Sequence, residues 1–324
     1  MKKLALAIHG GAGTILRSEM TPELEIEYRD GLKNALAKGW EILSVRGSAL
    51  DAVEATVIEL ENFPLFNAGR GSVFTHDGKN EMDACIMDGA NLRSGAVGFV
   101  RNVRNPISLA RLVMTKTEHC LLAGVGAEEF ARQMGIEFAP DEYFFVEHRY
   151  QQLLKARRAG VVQLDHTADE PQLIEESETL VSGIVPNKSV GTVGAVACDF
   201  EGNLAAATST GGMTNKKFGR VGDTPIIGAG TYAENSTCAV SCTGHGEYFM
   251  LGVTAYDLAA RMKYKNLSLE AAALETLEHL TEIGGEGGFI AVDRLGNVVL
   301  PFNSEGMYRG SITSKSAIKI EIYN

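Results

Sequence analysis

Val190-Gly191-Thr192-Val193-Gly194 marks the sharpest change of character in the chain. Upstream, from about Ala156 to Lys188, the sequence is polar, charged and weakly periodic, with Glu175-Glu176-Ser177-Glu178 as its most acidic run. That composition reads as a linker or surface excursion. Downstream, Val193 to Cys198 is an apolar strand candidate. A linker abutting a core strand is unusual, and a cut after Gly191 would give the junction a purpose. Thr192 would become an N-terminal residue, with a free α-amine beside its own hydroxyl. The hydroxyl is a weak nucleophile that needs an adjacent base. An α-amine has a pKa of about 7.7–8.0, close to the value that suits a general base at neutral pH. One residue would then supply both nucleophile and base. Gly191, lacking a Cβ, lets the hydroxyl approach its carbonyl. Taken alone, Gly-Thr-Val-Gly reads as the start of an ordinary strand.

Outward from this junction the chain alternates hairpins and helices. Cys85–Met87 and Ala96–Val100 flank Asp88-Gly89-Ala90-Asn91. Val193–Cys198 and Leu204–Ala207 flank Asp199-Phe200-Glu201-Gly202-Asn203, and Phe289–Val292 and Val298–Leu300 flank Asp293-Arg294-Leu295-Gly296-Asn297. The last two share the pattern expected of tight antiparallel turns. Met1 to Ile8 holds a five-residue apolar stretch, too short for a secretory core and read as the first strand. His9-Gly10-Gly11-Ala12-Gly13 then reads as a glycine-rich turn, in which His9 is either a turn residue or a contributor to strain before cleavage. Thr21-Pro22-Glu23 opens a helix reaching Arg46 and stopped by Gly47. Ser48 with Asp51 resembles a capping box and starts a second helix to about Leu60. Further helices are expected from Asn105-Pro106, over Gly126–Met134, over Gly246–Met262 and over Ser268–Ile283. Strands of small apolar residues with helices grouped between them indicate a layered α+β fold.

Composition narrows the function. The chain has 324 residues, with 30 Lys and Arg against 41 Asp and Glu, for a net charge of −11. An acidic chain with scattered cations is a poor nucleic-acid binder. No apolar run reaches the ~18 residues of a membrane span. Five cysteines, an odd count without paired spacing, indicate reduced thiols and a cytoplasmic location. Cys238 and Cys242 are expected as small buried hydrophobes, and Trp40 as a core residue. No His or Cys spacing matches a catalytic metal site. Gly124-Val125-Gly126 lacks the third glycine of a dinucleotide fingerprint, has Glu129 in its place, lies in no clear βαβ unit, and reads as a strand-to-helix turn.

The residues around Thr192 sharpen the picture. Thr208-Ser209-Thr210-Gly211-Gly212-Met213-Thr214-Asn215-Lys216 is followed by Gly219-Arg220-Val221-Gly222-Asp223-Thr224-Pro225, Gly228-Ala229-Gly230-Thr231 and Ser241-Cys242-Thr243-Gly244-His245-Gly246-Glu247. Earlier come His9-Gly10-Gly11-Ala12-Gly13, Asn67-Ala68-Gly69-Arg70-Gly71-Ser72 and Met82-Asp83-Ala84. Over nearly its whole length the chain resembles the isoaspartyl peptidase/plant-type L-asparaginase family of N-terminal nucleophile hydrolases.

The resemblance implies a self-processing amidohydrolase that cleaves β-aspartyl dipeptides and the side-chain amide of L-asparagine. Thr192 is implied as the nucleophile, exposed by cleavage at Gly191-Thr192, with Thr210 as its supporting hydroxyl. Arg220 would clamp the substrate α-carboxylate and Asp223 its α-ammonium. Thr243 and the Gly244 N–H would form the oxyanion hole, Gly246 would lend a carbonyl to the substrate amine, and Asn67 would approach the nucleophile from the first subunit. A loop from about Leu60 to Ala68 matches the family's sodium loop, with the backbone of Leu60, Glu61, Phe63, Phe66 and Ala68 as ligands and no catalytic cofactor. His245 receives no catalytic role. The implied fold is a four-layer αββα sandwich, built from an α subunit (1–191, with the polar linker about 156–191) and a β subunit (192–324) that form one folded domain. The implied assembly is a homodimer of cleaved protomers. Physical chemistry favours the same roles: a guanidinium meets a carboxylate bidentately, and glycine lets a backbone N–H reach a substrate oxyanion. Glycosylasparaginase activity on the same fold, or a catalytically silent homologue, are the alternatives.

Overall fold

A computed structural model describes residues 4–18, 20–162 and 191–324. The polar segment therefore lies mostly outside the described residues. The architecture is α+β. In chain order the first half contains β1 (Ala5–Gly13), α1 (Pro22–Ser44), α2 (Ala49–Asn62), β2 (Met82–Asp88), β3 (Arg93–Val100), α3 (Pro106–Lys116), β4 (Leu121–Ala123), α4 (Gly124–Gln133), α5 (Asp141–Phe144) and α6 (Glu147–Ala159). The second half contains β5 (Val193–Cys198), β6 (Leu204–Thr210), β7 (Thr231–Ala233), β8 (Cys238–Gly244), α7 (Gly246–Leu251), α8 (Thr254–Lys265), α9 (Leu269–Glu282), β9 (Gly287–Asp293), β10 (Val298–Val299), β11 (Gly306–Thr313) and β12 (Ser316–Tyr323).

The strands form two sheets, ordered β12-β11-β1-β5-β6-β2-β3-β4 and β10-β9-β8-β7. The three expected hairpins are the antiparallel pairs β2/β3, β5/β6 and β9/β10. Strand β5, which begins beside Thr192, lies between β1 and β6 at the centre of the larger sheet. Both faces of that sheet are covered, which explains the unbroken apolar runs. Successive side chains point to opposite faces. Leu6 and Ile8 of β1 accordingly pack with Leu32, Val53 and Val57 from α1 and α2. Ala5 and Ala7 lie on the other side, in one cluster with Ala239, Ile290 and Val292 from the smaller sheet. Helices α2 and α3 contact the larger sheet, and α8 and α9 contact strands of the smaller one. The helix-facing interior is rich in large branched side chains. The inter-sheet interior holds the small side chains of Ala5, Ala7, Ala206, Ala239 and Cys198, while Cys238 and Cys242 point to the other face of β8. These cysteines are buried and unbridged, as expected of small hydrophobes.

The helix caps are those the sequence implies. Thr21 accepts from Leu24 N–H (3.2 Å) and Ser48 from Asp51 N–H (3.1 Å). Asp51 does not return a capping bond; its carboxylate meets Arg111 instead (2.9 Å). At α3 the cap is borrowed, because Glu61 accepts from Ile107 N–H (3.0 Å) and Asn105 makes no cap of its own. Trp40 is half-buried against the core.

Four expectations need correction. The His9–Gly13 run is not a turn: it continues β1, pairing Gly11 to Tyr308 and Gly13 to Gly306 of β11 after a bulge between His9 and Gly11. A partner strand from the far end of the sequence supplies the ladder, which local turn chemistry does not reveal. The helix expected over Gly246–Met262 is broken into α7 and α8 at Gly252-Val253, where Val253 has φ +46°. The polar segment does not begin at Ala156, since α6 runs to Ala159 and ends on left-handed Gly160 (φ +69°). Finally, β3–α3–β4 forms a parallel crossover, although Gly124 still makes only the turn from β4 into α4.

Candidate active site

Thr192 lies just before β5, almost wholly buried, and its neighbour β6 ends at Thr210. Antiparallel pairing of β5 with β6 brings the two hydroxyls together: Thr192 Oγ1 donates to Thr210 Oγ1 at 3.1 Å. Thr210 Oγ1 in turn donates to the Gly191 carbonyl (3.2 Å) and accepts from Gly212 N–H (2.9 Å). Asn67 Nδ2 donates to the same Gly191 carbonyl at 2.7 Å and to the Gly212 carbonyl at 2.8 Å. Its Oδ1 accepts from Val73 N–H (3.0 Å), so every polar group of this amide is used. In this continuous chain two donors thus converge on the carbonyl that precedes Thr192. Such convergence polarises a carbonyl and stabilises an oxyanion formed there.

The loop presenting Asn67 is anchored from beneath. Arg149 of α6 is fully buried and donates to the carbonyls of Leu65 (2.9 Å) and Gly71 (3.1 Å). Gly211 is needed at the contact itself, because a Cβ there would meet Asn67 Oδ1 at 2.5 Å.

The charged end of the site lies on the loop between β6 and β7. One cleft is lined by Thr192, Thr210, Gly212, Met213, Arg220, Gly222, Asp223, Thr224, Gly244 and Gly246. Six nominated residues therefore share one wall. Arg220 makes a two-point ion pair with Glu247 of α7, Nε to Oε1 at 2.9 Å and a terminal nitrogen to Oε2 at 2.8 Å. Burial works against the Glu247 charge, but the Arg220 guanidinium outweighs it and holds that carboxyl below its ordinary range. Asp223 is buried, its Oδ2 has no partner among the described residues, and burial pushes its carboxyl up to about 7 against the pull of Arg220. An orphaned buried acceptor is uncommon and calls for an explanation; a ligand ammonium would satisfy it. Gly246 keeps the space open, since a Cβ there would meet Asp223 Oδ1 at 2.7 Å and Arg220 at 3.0 Å.

Three nominated residues stand back from the cleft: Gly191, Asn67 and Thr243. Asn67 acts from behind Gly191. Thr243, at the end of β8, accepts from Ala12 N–H (3.2 Å) through Oγ1, which leaves its own proton to be directed elsewhere. Its neighbour Gly244 lines the cleft. His245 is buried beside Glu247 (Nε2–Oε2 3.4 Å) and does not line the cleft. Among the described residues no cluster of three or more His, Cys, Asp or Glu is arranged to hold a metal. The nominated backbone of Leu60, Glu61, Phe63, Phe66 and Ala68 lies where α2 ends and its loop begins.

The sequence does not single out Glu247, Thr224 or Met213 as part of this region. Glu247 had a faint signal, an acid directly after a site glycine. His9, open in the sequence between a turn residue and a contributor to strain before cleavage, is fully buried, with Nδ1 2.9 Å from the Thr192 carbonyl.

Comparison with known proteins gives the family. The profile of the asparaginase family matches residues 2–322. The chain belongs to the asparaginase family. An isoaspartyl peptidase of Salmonella typhimurium is 51% identical, over 95% of this chain and 95% of its own. An isoaspartyl peptidase of Escherichia coli is 50% identical, over 95% and 92%. An isoaspartyl peptidase/L-asparaginase of Rattus norvegicus is 44% identical, over 94% and 84%.

Proposed function

We propose that this member of the asparaginase family is a self-processing amidohydrolase that releases L-aspartate from β-aspartyl dipeptides and from L-asparagine. The observation that carries the reading is the joining of the Thr192–Thr210 hydroxyl pair with Arg220 and the Asp223 carboxyl, whose Oδ2 has no partner among the described residues, in one cleft. In processing, Thr192 Oγ attacks the Gly191 carbonyl while Asn67 and Thr210 donate to the developing oxyanion. The Gly191–Thr192 C–N bond breaks, the hydroxyl proton passes to the freed amine, and water hydrolyses the resulting ester. Residues 1–191 and 192–324 then form two subunits of one folded domain. This is supported by β1 of the first piece pairing with β5 and β11 of the second.

In turnover the Thr192 amine takes the proton from Oγ as Oγ attacks the substrate side-chain carbonyl. Thr243 Oγ–H and Gly244 N–H stabilise the oxyanion, and the amine returns the proton to the departing nitrogen. Water then cleaves the acyl-enzyme. Arg220 holds the α-carboxylate and Asp223 the α-ammonium, which Gly246 also receives through its carbonyl.

The same reading carries a four-layer αββα arrangement of the N-terminal nucleophile type, supported by helices on the outer face of each sheet. It also carries a homodimer of cleaved protomers, a cytoplasmic setting without nucleic-acid or membrane partners, and a structural sodium ion in place of any catalytic cofactor. None of the described helices is long and apolar enough to cross a membrane. The sodium loop suits a hard cation. The carbonyls of Leu60, Phe63, Phe66 and Ala68 each accept one backbone N–H, which leaves a second lone pair on each. They lie at or after the negative end of α2. Exchange of sodium for choline should lower the melting temperature if the ion is bound.

Aspartate release from an isoaspartyl dipeptide, L-asparagine and GlcNAc-asparagine tests the function directly. The first two should be substrates and the third should not. Preference for GlcNAc-asparagine would favour glycosylasparaginase, and inertness towards all three would favour a silent homologue.

A further inference from the structure

One buried histidine lies under the nucleophile, and neither the cleft nor the proposed mechanism uses it. His9 stands at the bulge of β1, opposite Gly194 of β5. Its imidazole reaches across the space between the sheets. Nδ1 lies 2.9 Å from the Thr192 carbonyl and Nε2 2.8 Å from Ser241 Oγ of β8. Gly194 makes this contact possible: a Cβ there would stand 2.0 Å from Ser241 Oγ and 2.4 Å from His9 Nε2. Behind Ser241 the chain of hydroxyls continues, to Thr208 of β6 (2.7 Å) and from there to Thr231 of β7 (2.7 Å).

The direction of this chain follows from its first member. A carbonyl only accepts, so Nδ1 carries the proton. In a neutral ring Nε2 is then an acceptor, and Ser241 donates to it. Ser241 Oγ is left to accept from Thr208, and Thr208 from Thr231. A charged ring would present a second N–H to Ser241 and reverse the order. Burial holds the ring neutral, with its pKa lowered to about 3 against the small opposing effect of the Thr192 carbonyl.

We infer that His9 is a positioning residue for Thr192: its Nδ1–H fixes the Thr192 carbonyl, and the hydroxyl chain Ser241-Thr208-Thr231 fixes the tautomer that lets it do so. The inference rests on Thr192 being the nucleophile. Its weight differs between the two reactions. Before cleavage the residue is anchored on both sides, because Asn67 and Thr210 also hold the Gly191 carbonyl. After cleavage the peptide bond on the amine side is gone. The carbonyl is then the backbone handle that still sets where the amine and Oγ stand relative to a bound substrate.

Steady-state kinetics of His9→Phe, His9→Asn and Ser241→Ala, normalised to the processed fraction measured by denaturing mass, test this. His9→Phe removes the donor and should lower kcat about 10- to 100-fold, with KM within about twofold because Arg220 and Asp223 are untouched. Its processing rate should fall less than its kcat. His9→Asn keeps an N–H at the Nδ1 position and should recover most of kcat. Ser241→Ala removes the donor that Nε2 needs and should lower kcat several-fold at constant KM; it carries the test if His9→Phe does not fold. Unchanged kcat in His9→Phe or in Ser241→Ala overturns the inference. So does an equal loss in His9→Phe and His9→Asn, which would indicate packing alone. A parent chain that processes itself and turns over normally while these variants match it strikes only the inference. A parent that does neither strikes the nucleophile reading and the inference with it.

Discussion

The two ends of the cleft are built on opposite principles. At the nucleophile end, Thr192, Thr210 and Asn67 are neutral groups set on strands or on a loop anchored by Arg149, and their hydrogen bonds are complete. At the recognition end, Arg220 and Asp223 are charged or titrating groups on a long loop, and Asp223 Oδ2 has no partner. The first end is preorganised and can act on the chain's own carbonyl without any ligand. The second leaves Asp223 Oδ2 without a partner among the described residues, and its Arg220 is held by Glu247 until a substrate carboxylate engages it. Processing should therefore depend on one end alone, and turnover on both.

Substitutions that separate the two reactions can break this contrast. The largest effect is expected from Thr192→Ala, which should remain one polypeptide and release no aspartate; gels and a coupled aspartate assay read both. Asn67→Ala removes one of two donors to the Gly191 carbonyl and should slow processing by about 10²–10³-fold, measured as the rate of fragment appearance in a refolded precursor. Arg220→Ala should process normally yet raise KM by roughly 10²-fold, because it deletes a two-point charged contact. A processing defect of similar size would show that the ends are not independent.

Smaller effects follow from Asp223. Burial pushes its carboxyl up to about 7, and the proposed contact with a substrate ammonium needs the carboxylate. KM should therefore rise as pH falls below 7, by up to about tenfold per unit, while processing between pH 6 and 8 should not follow that curve. Stability runs the other way. A carboxyl raised above its ordinary 3.8 favours the fold when protonated. That contribution is present below 3.8 and lost as pH rises through about 7. Asp223→Asn should consequently melt a few degrees higher than the parent at pH 8, with little difference at pH 4 and with substrate affinity lost throughout. Differential scanning calorimetry at both pH values checks the sign.

The same contrast governs what the sequence could reveal. Thr21, Ser48 and Ser268 announce their helices because a cap is local chemistry, and Asp199 to Asn203 announces its hairpin for the same reason. Recognition residues are legible through the family's motif order, since Arg220, Asp223 and Gly246 all sit in glycine-rich blocks. The groups that complete the site from a distance are not. Glu61 caps α3 from another helix, Arg149 anchors the Asn67 loop from α6, and His9 meets Ser241 across two sheets. Each pairing spans tens to hundreds of residues, so no local pattern carries it. The glycine run His9–Gly13 misleads for a related reason: its strand character is imposed by β11, whose residues lie near the other end of the sequence.

Denaturing mass measurement of the purified chain tests the central claim most directly. The account predicts two fragments, one ending at Gly191 and the other beginning at Thr192 with a free amine. A single intact polypeptide, or a cut at any other bond, would contradict it.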